Sequence, residues 1–276
     1  MSIWDSTSKD FANQKEYLCS IKDYQNYLDG IKQTLEFMSS YSFLQFGRDT
    51  VITKLSSILS PAPILDSAIK TLHSVLLCGE YGKFSDASVL IRKYRDDLFF
   101  YLYIISIAES CNLLDENPPT EHEENIKKWQ QNKLSNLNIS EIMKYIASRP
   151  ELKNAVKKYN FQLVFNKIST ELNNYVHGNG VKYYNQHPSS YDEKSIRTFA
   201  DYSNNHINYI TITFVFLLSL IKPISMMSTD YVDSLDFNES PPEGSQYWVA
   251  PFVNEYIQGY ISLLGNDCIN YLRDNT

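Results

Sequence analysis

With 276 residues and a hydrophobic share of 43%, the chain has material for one large or two small folded domains, which excludes wholesale disorder. A formal charge of −7 and a pI near 5.3 exclude a surface that attracts polyanions as a whole, so any nucleic-acid contact needs a local basic patch. Four well-separated cysteines (Cys19, Cys78, Cys111, Cys268), three of them in apolar helical surroundings, and an opening MSIWDSTSKDF without basic or apolar leader regions predict free thiols in a cytoplasmic protein.

In chain order, Leu18, Ile21, Tyr24, Leu28, Ile31, Leu35 and Met38 recur every three or four residues, which predicts one helix from Phe11 to Ser39, softened at Gly30. A second helix is expected from Asp49 to Leu59, ended by Ser60-Pro61. A third follows from Ile64 to Leu77, with a turn over Gly79–Ser85. Ser85 is the expected cap of a fourth, Asp86–Asn112, whose stripe is Ala87, Leu90, Ile91, Tyr94, Leu98, Leu102 and Ile105.

The acidic segment DENPPTEHEEN is expected to be exposed and flexible, with Thr120 and Glu123 in capping-box spacing before a helix over Ile126–Lys133. Asn138–Ala147 reads as a short helix, and Ser148-Arg149-Pro150-Glu151 as the cap of the next. Phe161–His177 carries the stripe Phe161, Val164, Phe165, Ile168, Leu172 and Val176. After a loop, Ser190-Tyr191-Asp192-Glu193 should cap a long helix ending at Ile221, before Lys222-Pro223. A last helix is expected over Val249–Arg273. With no alternating strand pattern and no repeat of fixed period, the fold class is all-α, a multi-helix bundle in a single domain.

Two uncharged runs, LFFYLYIISIA (Leu98–Ala108) and INYITITFVFLLSLI (Ile207–Ile221), suit paired core helices. The second falls short of the ~20 apolar residues of a spanning helix, so stable membrane insertion is not expected, and membrane perturbation is the lesser alternative.

Chemistry is sparse. There is no H-E-x-x-H, no paired cysteines, no Walker A ending on GEYGKFS and no G-x-S-x-G elbow. His122 reads as part of a solvated charge run, and no metal or other cofactor is expected. Two constellations remain. In IRKYRDDLFFYLY, Arg92, Arg95 and Asp96 share one side of the fourth helix, with Phe99 and Tyr103 continuing it. Arg92 and Asp96 can pair at i,i+4, and an exposed salt bridge accounts for them as well as a site does. In ELNNYVHGNG, Thr170, Asn173 or Asn174, and His177 lie on the polar side of their helix. A histidine in the last turn, followed by a left-handed Gly178, is explained by helix termination alone; catalysis is the sharper reading.

Together these stretches resemble the HEPN superfamily of helical nucleotide-binding and RNA-cleaving domains from bacterial toxin and phage-defence systems. One group there carries a helix like A-R-S-L-F-E-x-x-x-x-L-x-Y, which Ala87–Tyr103 resembles with Asp96 in the acidic place. A later helix ends in a pattern like L-S-x-Y-V-H-G, similar to Leu172–Gly178. The likeness spans about residues 60–225 and leaves 1–59 and 249–275 as peripheral helices. It implies an antiviral, abortive-infection or toxin-type protein, a metal-independent endoribonuclease on tRNA or mRNA. His177 would be the general acid or base, and Arg92 or Arg95 the phosphate holder. Asn173, Asn174, Tyr175 and Asp96 would contact the substrate, in a cleft shared across a homodimer.

The nuclease pattern also wants an arginine separated from the histidine by four to six residues on one helix, where Glu171 and Leu172 stand. The alternative is therefore a degenerate HEPN-like module that binds a nucleotide or a partner protein from a defence operon.

Overall fold

The structure of the protein, a computed structural model, describes residues 3–55, 58–135, 137–183, 192–240 and 248–275, except for the side chains of 3–9 and 182. The periodic N-terminal stretch folds as two helices, α1 (Ile3–Ser20) and α2 (Tyr24–Gln45), not the single one expected from Phe11 to Ser39. The break comes at Asp23, which takes a left-handed φ of 68°. The apolar stripe runs on across it, because Leu18, Ile21, Tyr24, Leu28, Ile31 and Met38 are all buried. Gly30 is no soft spot within α2: a Cβ there would come within 2.7 Å of Asn204 Nδ2, so the glycine permits a close helix approach.

The described residues of 49–59 form no helix. Val51–Ile52 (β1) pairs antiparallel with Ile58–Leu59 (β2), in the register Val51 to Leu59 and Ile52 to Ile58. β-branched Val51, Ile52 and Thr53 favour extended backbone, and strands of two residues each are too short to show an alternating pattern. The expectation that strands are absent is corrected here, within an otherwise all-α fold.

α3 (Ala62–Glu80) and α4 (Phe84–Glu109) form an antiparallel hairpin turned at Gly82, whose φ is +66°. Ser85 lies in the first turn of α4 instead of capping it, and its hydroxyl donates to the Tyr183 carbonyl at 2.6 Å. Thr120 and Asn138 each complete a reciprocal capping box, starting α5 (Glu121–Gln130) and α6 (Ile139–Ser148). The helical start at Glu121 takes His122 out of the flexible loop expected of it. Its Nδ1 meets the Tyr103 hydroxyl at 2.8 Å, and its ring lies 4.2 Å from that of Tyr145. Ser148 bonds back to the Tyr145 carbonyl, so α7 (Pro150–Lys158) starts on its proline without the expected side-chain cap.

α8 (Phe161–His177) has the bounds that its stripe and its glycine imply. Asp192 caps α9 (Glu193–Ile221), accepting from the Ser195 amide at 2.6 Å; Ser190 and Tyr191 lie outside the described residues. α10 (Thr229–Asp236) follows. The expected last helix is three: α11 (Pro251–Gly259), α12 (Ile261–Leu264) and α13 (Cys268–Asn275), parted at Tyr260 and at Gly265, whose φ is 153°.

At the centre α4 lies against α9, joined by the Tyr94 and Thr211 hydroxyls at 2.7 Å and by the rings of Tyr101 and Phe214 at 5.8 Å. Every residue from Ile207 to Ile221 is buried. α9 is long and apolar enough to cross a membrane by length and composition, and 89% of its apolar window is buried inside this fold. Where α2, α9 and α11 meet, the Thr34 hydroxyl donates to Asn208 Oδ1 at 2.8 Å and Tyr256 to the same oxygen at 3.1 Å. The side-chain oxygen of this core residue is thereby satisfied.

Candidate functional site

α4 and α8 run antiparallel, and two contacts between them, with a third to the turn after α8, fix their register. The Phe99 and Phe165 rings stand 5.0 Å apart, Arg95 Nη1 donates to Ser169 Oγ at 2.8 Å, and Ser85 reaches the Tyr183 carbonyl. All the expected site residues hang on this helix pair.

Arg95 is not the exposed surface residue that an ordinary salt bridge would supply. Its side chain is 0% exposed. Nε and Nη2 both donate to Asp96 Oδ1, at 2.9 and 2.6 Å, and the guanidinium lies 5.3 Å from the centre of the Phe165 ring. Burial pushes the Arg95 guanidinium below its ordinary range, while the Asp96 carboxylate beside it pulls the other way. It stays a cation, because arginine keeps its proton in proteins. Arg92 is the freer of the two, partly exposed and touching Asp96 Oδ2 only at 3.7 Å. A phosphate arriving from solvent would meet Arg92 and the outer side of Asp96.

His177 is exposed on the last residue of α8, and Gly178 follows in the left-handed region (φ 58°, ψ 42°), with its amide bonded to the Asn174 carbonyl. Asn174 also accepts from Asn179 Nδ2 at 3.0 Å through its side-chain oxygen. Tyr175 packs edge-on against Tyr183 at 4.9 Å. Asn173 Oδ1 is buried without a hydrogen-bond partner among the described residues.

The structure therefore brings Arg92, Arg95 and Asp96 together, and gathers Asn174 with the α8 terminus that carries His177. It does not join the two groups. Ser169, the level of Arg95, is eight residues before His177, about 12 Å along the helix at the usual rise. No hydrogen bond or ion pair links His177 to either arginine among the described residues.

Sequence reasoning missed His206. It is 7% exposed on α9, edge-on to Tyr202 at 4.0 Å, and lines a small cavity of about 10 Å³ together with Ser88 of α4 and Glu171 and Tyr175 of α8. That is room for one water at most. Burial, helped by the charge of Lys167, pushes the imidazole down to about 4. The available signal was its place at the edge of the uncharged run, in NNHINYI.

No family model, curated protein or solved structure matches the chain.

Proposed function

We propose that the chain is a HEPN-like helical binding module of a bacterial defence or toxin system, which docks a partner protein or a nucleotide without cutting RNA. The observation that carries this reading is Arg95. A phosphate-holding arginine needs free donors facing the substrate, and this one is fully buried beneath the Phe165 ring with three of its N–H groups given to Asp96 and Ser169. The acidic balance of the chain supports it further.

Metal-independent RNA cleavage ranks second and has one observation in its favour: His177 is exposed, beside an asparagine-rich helix end. Induced expression in a bacterial host, wild type beside His177→Ala, separates the two when growth and total RNA are followed together. The binding reading expects RNA to stay intact in both strains. RNA fragmentation that disappears with the single substitution would reinstate the nuclease, with Arg92 as its cation.

A further inference from the structure

Where α1 meets the turn between α3 and α4, the surface holds an apolar groove of about 610 Å³, within the ~300–1,000 Å³ of small-molecule pockets. Phe11 and Ala12 form one wall and Leu77 and Cys78 the other, with Tyr81 edge-on to Phe11 at 5.8 Å. Leu77 is 57% exposed although it sits in the last turns of a core helix.

Among the described residues, the remaining lining side chains are both lysines, in a chain whose net charge is −7, with Glu80 paired to Lys15 and Asp86 near enough to act on Cys78. Lys15 is held by Glu80 at 2.8 Å. Lys83 carries its ammonium 5.0 Å from the centre of the Phe11 ring. Its backbone is pinned, with the amide bonded to the Cys78 carbonyl at 2.8 Å just beyond the left-handed Gly82. Lys83 is also the N-cap residue of α4, with Asp86 in the first turn of that helix. The groove thus pairs an apolar bed with one fixed cation, the complement of a ligand with an apolar body and an anionic head.

We propose that this groove binds an amphipathic carboxylate, with the acyl chain against Phe11, Leu77 and Tyr81 and the carboxylate on Lys83. The proposal is independent of the reading above, since it uses no residue of the α4–α8 pair beyond the turn that starts α4.

The test is calorimetric titration of the full chain with decanoate and with 1-decanol. It is repeated on Lys83→Glu and Leu77→Asp, with far-UV circular dichroism showing that both variants fold. Saturable decanoate binding is expected, weakened about tenfold by Lys83→Glu through loss of one charge-assisted contact, and weakened likewise by Leu77→Asp. The partly buried Cys78 gives a second readout: decanoate should slow its alkylation by N-ethylmaleimide, while the exposed Cys19 reacts unchanged. Decanol binding as well as decanoate, binding indifferent to Lys83→Glu, or an unprotected Cys78 would each overturn the assignment. So would a concentration-dependent dimer abolished by Leu77→Asp, which would give the groove to a second copy of the chain.

Discussion

A guanidinium removed from water is tolerable only while its donors are occupied, and Arg95 depends on the carboxylate next to it in sequence. Asp96→Ala should cost about 2 kcal/mol, discounted from the cost of breaking a fully buried pair because Asp96 is itself 38% exposed. Arg92→Ala removes only a loose contact between two partly exposed groups and should cost less than about 0.5 kcal/mol. Urea denaturation of the two variants checks this. Equal losses would mean that Arg95 is not the buried partner. Nothing in IRKYRDD distinguishes Arg92 from Arg95 in advance. They are three residues apart, which turns one toward the arriving Phe165 and Ser169 of α8 and leaves the other at the edge.

Helix ends were the most legible elements, since a terminus is a local problem of unsatisfied amides and carbonyls. Thr120 with Glu123, and Gly178 after His177, are such local solutions, and both stand where the sequence puts them. Thr120→Ala should therefore cost about 1 kcal/mol through the lost cap. Gly178→Ala should cost about 1 kcal/mol through forcing a side chain into the left-handed region. Denaturation midpoints measure both, and an unchanged midpoint would show that the helix end frays at no cost. The misread elements are those where long-range contacts outweigh local preference. Val51 and Ile52 leave the helical pattern to pair with a second strand, and Ser85, a sound cap by type, turns to the Tyr183 carbonyl brought to it by α8.

At the scale of the molecule, α4, α8 and α9 share a seam, and His206 sits in it as a neutral base. Its folded value of about 4 lies below the ordinary 6.5, so between those values the unfolded chain binds more protons than the folded one. Stability should be unaffected by this group above pH 6.5 and fall as the pH drops from 6.5 toward 4, by at most about 3 kcal/mol. His206→Gln should flatten that part of the profile. A wild-type profile equally flat across the window would mean that the imidazole is hydrated in the folded state.

The sequence by itself determined the helical class, the two apolar helices at the centre, the bounds of α8 and the cap of α5. Periodicity and terminal chemistry are properties of neighbours along the chain, and they survive whatever packs above them. Only the tertiary structure decided that Arg95 is sealed under Phe165, that His177 stands about 12 Å along α8 from its level, and that His206 is buried. Those outcomes depend on the register of α8 on α4 and on the side chains that arrive from α9. That register is set by packing between segments distant in the chain, which no local pattern encodes.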